Sequence, residues 1–323
     1  MAITRFPNGI SSFGSLMHAR PPMRGREFLV KKTTDTDYAY WKDEIKHQVW
    51  AGGQAIHTSI ESAVAAARDF DTIWVYPGQW KPASTLTISQ NSLKILAVES
   101  GPYGALTRTE IRQYDNVAAH IFTVNAHNVE IAGFRLTPYS TGGGYFAIMA
   151  GNSANTYGLY AHDNYFYCGI GGDPGSSAVS LGVNGSHDCD SFHLMHNRFY
   201  LGGDKDTPYG IVDWNQANRG VIRDNVFQQQ SNNATNYAIN INGSNNHDHF
   251  HGEILDNRFV FVEEDVALGA CVAINNPTAV GGAGIIDGNV FVNYANSDDN
   301  AIASSLNINL GHNWRTVTAV AAG

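Results

Sequence analysis

No run of apolar residues in this chain approaches the roughly 18 needed to cross a bilayer, so insertion as a membrane span is excluded. After Met1, the residues Ala2-Ile-Thr-Arg-Phe-Pro-Asn-Gly lack the apolar segment of a secretion signal, and no export is expected. Cysteine is scarce. Cys168, Cys189 and Cys271 are an odd number at unrelated positions, which argues against a disulfide framework and for reduced core thiols made in a cytoplasm. There is no phosphate-binding glycine loop, no Ser-His-Asp elbow and no Cys-x-x-Cys pair. The glycine clusters at 142–144, 171–172, 202–203 and 281–282 follow strands without opening helices, so nucleotide binding has no support and no cofactor is expected.

Charge is unevenly spread. Residues 1–34 carry Arg5, Arg20, Arg24, Arg26, Lys31 and Lys32 against Glu27 alone, +5 within a chain of net −9, which leaves −14 on the remainder. A basic leader bearing Pro7, Pro21 and Pro22 on an acidic body fits an arm that docks on a negatively charged surface. It lacks the dense Lys/Arg run and the interleaved aromatics of a nucleic-acid binder, so nucleic acid is not the expected partner.

What the sequence does have is one phrase written repeatedly: an apolar residue, a gap, then Asp, His or Gly, then Asn, any residue and an aromatic. It reads Leu159-Tyr-Ala-His-Asp-Asn164-Tyr-Phe166, Leu194-Met-His-Asn197-Arg-Phe199, Val221-Ile-Arg-Asp-Asn225-Val-Phe227, Ile254-Leu-Asp-Asn257-Arg-Phe259 and Ile285-Ile-Asp-Gly-Asn289-Val-Phe291. Leu310-Gly-His-Asn313-Trp314 is a fainter copy, and Val129-Glu-Ile131-Ala-Gly-Phe134 an earlier one without Asn. The aromatics recur at intervals of 32, 33, 28, 32, 32 and 23 residues, the mark of a stacked solenoid. A second apolar stretch in each copy, such as Ala178-Val179 or Ala238-Ile239, gives two or three short strands per turn among Gly, Asn, Ser and Asp clusters. The expected fold is all-β, a right-handed single-stranded parallel β-helix. Phe134, Phe166, Phe199, Phe227, Phe259, Phe291 and Trp314 are expected to stack as a core column. Asn164, Asn197, Asn225, Asn257, Asn289 and Asn313 are expected as an amide ladder at a turn, where Asn tolerates left-handed backbone.

The expected organisation is an extended basic arm over 1–34, a cap over 35–70 and the solenoid over 71–323. Thr58-Ser-Ile-Glu61 reads as a capping box opening a helix over 58–68, whose Ile60, Val64 and Ala67 share one face and plug the open end. After it come Asp71-Thr-Ile-Trp-Val-Tyr-Pro77-Gly78-Gln-Trp80, Leu86-Thr-Ile88 and the Val129–Phe134 copy. This succession resembles the start of the pectate-lyase-like right-handed β-helix superfamily, and the repeats through Trp314 resemble its body. The resemblance speaks to fold far more than to function.

Polysaccharide-cleaving members of that superfamily set two or three carboxylates on the outer face of one sheet across several coils. The best such set here is Asp204, Asp206 and Asp213, with Glu263, Glu264 and Asp265 two coils on. These do not share a phase, so the expectation is no catalytic pair, with Asp204, Asp206 and Asp213 as the residues to test otherwise. His247, His249 and His251 alternate on one side of a strand and are the candidate metal ligands, or alternatively a pH-sensitive subunit contact; no bound metal is expected.

With a basic leader, a plugged end and little carboxylate clustering, the chain resembles phage-encoded virion proteins: capsid decoration or head-spike proteins and tailspikes, which assemble as trimers. The expectation is a non-enzymatic capsid decoration protein, homotrimeric, made in the host cytoplasm and displayed on the capsid. Its arm (Arg5, Phe6, Arg20, Arg24, Arg26, Lys31, Lys32) would grip the major capsid protein or another virion protein. The alternative is a short tailspike, either a depolymerase or an adhesin whose partner is a host-surface glycan. The chain ending nine residues beyond Trp314, with no distal module, favours the first.

Overall fold

A computed structural model of the chain describes residues 25–32, 56–98, 109–113, 119–139, 144–168, 177–182, 187–202, 211–215, 219–229, 237–241, 252–261, 273–276, 284–292, 302–304 and 309–316. They form a parallel β-helix with three long sheets of eleven, nine and eight strands. Strands repeat in fixed order around each coil, and the strands inside each long sheet pair in parallel with their equivalents one coil before and after. The eleven-stranded sheet, which includes the first strand Glu27–Val30, is called the cap sheet. The nine-stranded one, running from Gly78–Trp80 to Trp314–Thr316, is the Phe sheet, and the eight-stranded one, from Leu86–Ile88 to Ile302–Ser304, is the Asp213 sheet.

Alternation along each strand sends one set of side chains inward. In Arg258–Phe261, Phe259 and Phe261 are buried while Arg258 is exposed. Because each coil contributes the same apolar position, the inward residues meet their own kind. Phe166, Phe199, Phe227, Phe259 and Phe291 stack face to face with centroids 4.7, 4.5, 4.8 and 4.9 Å apart and planes within 11°. That separation is the interstrand spacing, about 4.8 Å, imposed on the rings by the backbone.

Two members of the predicted column lie elsewhere. Leu136, not Phe134, pairs with Phe166, and Ile111 and Trp80 continue the column below it. Phe134 is buried two residues earlier, and its amide donates to Asn164 Oδ1, so it sits where the later coils carry Asn. At the other end Arg315 occupies the register of Phe291, while Trp314 pairs with Val290 and is 58% exposed. The Asn313-Trp314 copy lacks the spacer residue of the others, and in a strand one missing residue moves a side chain to the opposite face.

The amide ladder forms through every predicted member. Asn164, Asn197, Asn225, Asn257 and Asn289 are buried, and each donates from Nδ2 and from its own amide to Oδ1 of the next. Each Nδ2 also donates to a carbonyl of the preceding coil, Leu194 in the case of Asn225. Asn313 ends the ladder, accepting from Asn289 and donating to Ile286 O. The left-handed backbone belongs to the residue before Phe134, Asn164, Asn197, Asn225, Asn257 and Asn289: Gly133, Asp163, His196, Asp224, Asp256 and Gly288 have φ of 84°, 54°, 54°, 55°, 54° and 70°. This explains why the phrase reads Asp, His or Gly ahead of Asn, since those residues tolerate positive φ at a corner.

Helix α1 spans Ile60–Ala66, shorter than the predicted 58–68. Its N-cap is Ser59, whose hydroxyl accepts from the Ser62 amide, one residue later than the predicted Thr58 cap. Glu61 does not close a capping box; its carboxylate accepts from the Ala83 amide instead. The predicted packing face holds, with Ile60, Val64 and Ala67 buried over the end of the core.

Candidate functional site

Asp204, Asp206, His247, His249, His251, Glu263, Glu264 and Asp265 lie outside the described residues, as do Arg5, Phe6, Arg20, Arg24 and Cys271. Cys168 and Cys189 are buried free thiols, and burial pushes Cys189 up to about 12, which keeps it protonated and inert.

The basic leader joins the body earlier than residue 34. Phe28, Leu29 and Val30 are buried in the cap sheet, so residues 25–32 are part of the first coil rather than of a free arm. Arg26 fixes this junction: its amide and its guanidinium both reach buried Asp71, at 2.6 Å each, and Nη2 also donates to Ala66 O at the end of α1. Lys32 lies over the Trp80 ring at 5.5 Å, on the rim of an open cavity of about 430 Å³ beside the first turn of α1.

Asp213 sits in Val212–Trp214 of the Asp213 sheet. Val212 and Trp214 point inward, so Asp213 faces outward by alternation, yet it is only 1% exposed. Its register partners are Ser180 one coil before and Asn240 one coil after. Asn215 Nδ2 donates to Oδ2 and Asn240 Nδ2 to Oδ1. Burial outweighs these donors and raises the carboxyl to about 7. Ser180 Oγ is buried with no hydrogen-bond partner among the described residues. This row therefore holds one acid able to exchange a proton at neutral pH beside an unpaired hydroxyl. A two-carboxylate hydrolytic pair is not assembled around Asp213, because both of its register neighbours are uncharged.

A second cluster lies on the outer side of the cap sheet, where Lys94, Glu130 and Tyr160 occupy one register row. Glu130 accepts from Lys94 and lies 3.2 Å from His162 Nε2, while His162 Nδ1 meets Asp163 Oδ2 at 2.8 Å. The Tyr160 ring stacks on His162 at 4.1 Å. The His162 hydrogen bond, with Lys94 beside it, holds Glu130 down at about 2. Burial opposes charging His162, but Glu130 and Asp163 together outweigh it and raise its pKa. With both ring nitrogens engaged, His162 is a tie between coils and has no nitrogen left to act on a substrate. No group of three His, Cys, Asp or Glu able to hold a metal occurs among the described residues.

A third feature went unnoticed in the sequence. The residue between Asn and Phe, treated there as arbitrary, is an outward position of the Phe sheet. Arg135, Tyr165 and Arg198 follow one another in one register row, with Tyr167 and Tyr200 in the next. Arg135 and Arg198 each lie 5.6 Å from the Tyr165 ring, on successive coils to either side, and Tyr167 stacks on Tyr200 at 5.1 Å. Arg198 Nη2 donates to Gln228 Oε1. Arg-x-Tyr and Tyr-x-Tyr in the same phase were the signal available.

No protein-family model and no curated protein matches the chain. Among solved structures it is similar to ybhc of Escherichia coli, at 11% identity and a TM-score of 0.50, covering 97% of this chain and 90% of that one. Pectin methylesterase PemA from Erwinia chrysanthemi is similar at 12% identity and a TM-score of 0.48, with 92% and 91% covered. A PL6 alginate lyase complexed with a trisaccharide gives 13% identity and a TM-score of 0.48, with 85% and 61% covered. At such identities the likeness is one of fold alone, that of a parallel β-helix.

Proposed function

We propose that this chain is a phage virion structural protein, a capsid decoration or head-spike protein that attaches by its basic N-terminal segment and stands on the shell as a homotrimer. Its partners are then its own copies and the major capsid protein or another virion protein, and it is made in the host cytoplasm. The observation that carries this reading is the Arg26–Asp71 clamp. It ties the basic leader to the α1-plugged end of the rod, so that a pull on residues 1–24 is transmitted to the first coil. Residues 1–24 carry Arg5, Arg20 and Arg24 and no acid, +3 within a net charge of −9, which leaves −12 on the rest and supports an anchor distinct from the body. Removing residues 1–24 leaves Arg26 and the first strand in place. The truncated chain is expected to keep its melting temperature and to stop co-sedimenting with purified particles of the encoding virus; undiminished co-sedimentation contradicts the anchor.

A second reading, a glycan-cleaving or glycan-binding tailspike, is favoured by Asp213 alone, a buried acid raised to about 7 beside Ser180. It expects new reducing ends or unsaturated uronates from capsular polysaccharide, lost in Asp213→Asn. Polysaccharide left unchanged by the wild type removes cleavage.

A further inference from the structure

Six coils turn from the cap sheet to the Phe sheet through only two residues. Strands end at Ala132, His162, Met195, Arg223, Leu255 and Asp287, and the next begin at Arg135, Tyr165, Arg198, Val226, Arg258 and Val290. With no insertion at this corner in any of them, the corner itself places nothing over the two faces beside it.

The faces differ in charge. At its outward positions the Phe sheet carries Arg112, Arg135 and Arg198 on earlier coils, with Glu110 paired to Arg135, and Arg258 on the coil of Glu253. Toward the C-terminal coils the cap sheet carries Glu253 and Asp287, with Asp224 and Asp256 at the corner beside it. Arg223 is the cation among them, and it is drawn to Asp224 and Asp256 at 3.3 and 3.1 Å. Both faces also turn apolar over the same coils: Val260, Val290 and Val292 are part-exposed on one, and Leu255 and Ile285 on the other, with Ile285 at 37%. Outward aliphatics on several successive coils, framed by opposite charge, are the composition of an interface rather than of a solvated face.

We propose that the Phe-sheet face of one copy packs on the cap-sheet face of the next copy of this chain, with the two-residue Asn corner turned toward the shared axis. Such a contact is heterologous, so it closes into a ring when every copy repeats it. Copies standing side by side at equal height bring Arg258 to the level of the neighbouring copy's acidic row, because Glu253, Asp256 and Arg258 belong to one coil. The proposal deepens the trimeric reading above and rests on it.

The test uses the full chain, with mass measured by light scattering over a dilution series and melting followed in parallel. Arg258→Glu and Glu253→Arg replace exposed residues, so each variant keeps the wild-type melting profile when dissociated. Each single reversal is expected to weaken association about tenfold or more, and the double reversal to recover it. A wild type that is monomeric at every concentration overturns the proposal, as does an oligomer insensitive to both reversals. Binding of polygalacturonate to a monomer, abolished by Arg258→Glu, also overturns it by giving the face to an acidic glycan. Particle co-sedimentation of the same variants separates the two readings: an insensitive oligomer that still attaches removes this interface and leaves the shell-bound protein standing.

Discussion

Asn225 shows what a single ladder residue does. Its Nδ2 donates to Leu194 O and Asn257 Oδ1, and its Oδ1 receives the amide and Nδ2 of Asn197. All of this is buried, so Asn225→Ala strands donors and an acceptor that water cannot reach, each costing about 1–3 kcal/mol. Chemical denaturation is expected to show a loss of about 3 kcal/mol or more; a loss below 1 would mean that the ladder decorates the corner without holding it. His162 acts through charge. Its pKa is raised above the ordinary 6.5, so its contribution is complete below 6.5 and is lost as pH rises through the folded value. Glu130 is lowered from 4.5 to about 2, so its contribution is present above 4.5 and lost as pH falls toward 2. The coil tie is therefore strongest between about pH 4.5 and 6.5. Melting scans across pH are expected to show that His162→Gln loses most stability in that window and approaches wild type above it; a pH-independent deficit contradicts the ion-pair account.

At the scale of elements, what the sequence made legible is what recurs. The Phe and Asn columns could be read because each coil repeats the same demand at the same phase, and five consecutive rings and amides land where that phase puts them. The misplacements fall at the ends of the series. At Phe134 the aromatic sits two residues ahead of the column, and at Trp314 the spacer is missing, so each copy kept its composition and lost its register. The α1 cap was off by one because Thr58 and Ser59 are adjacent and both competent caps. Ser59→Ala is expected to cost about 1 kcal/mol and Thr58→Ala little, read from thermal melts; the reverse order would restore the earlier cap. The Arg–Tyr rows were missed because outward positions vary from coil to coil and become a face only when stacked. In the stack itself, Phe227→Ala opens a gap between two rings and is expected to cost about 3–5 kcal/mol.

For the whole molecule, a coil cannot bury its own apolar edge, so stability is shared between neighbours and the ends need separate treatment. Here α1 covers the N-terminal end and Arg26 locks the incoming chain against it. Function at this scale is a matter of which outer faces stay available. The Asp213 row is buried, the His162 cluster is tied between coils, and the faces beside the Asn corner present opposite charge with outward aliphatics.

Register is the claim on which all of this depends, and a pair of outward cysteines tests it. Tyr167 and Tyr200 are register partners one coil apart, whereas Tyr167 and Gln228 are separated by two coils. Strand neighbours at about 4.8 Å are within disulfide reach and residues two coils apart are not. Under mild oxidation, peptide mapping by mass spectrometry is expected to find a 167–200 crosslink in the Tyr167→Cys/Tyr200→Cys chain and none between 167 and 228 in Tyr167→Cys/Gln228→Cys. Equal crosslinking in both, or only in the second, would contradict the in-register rod.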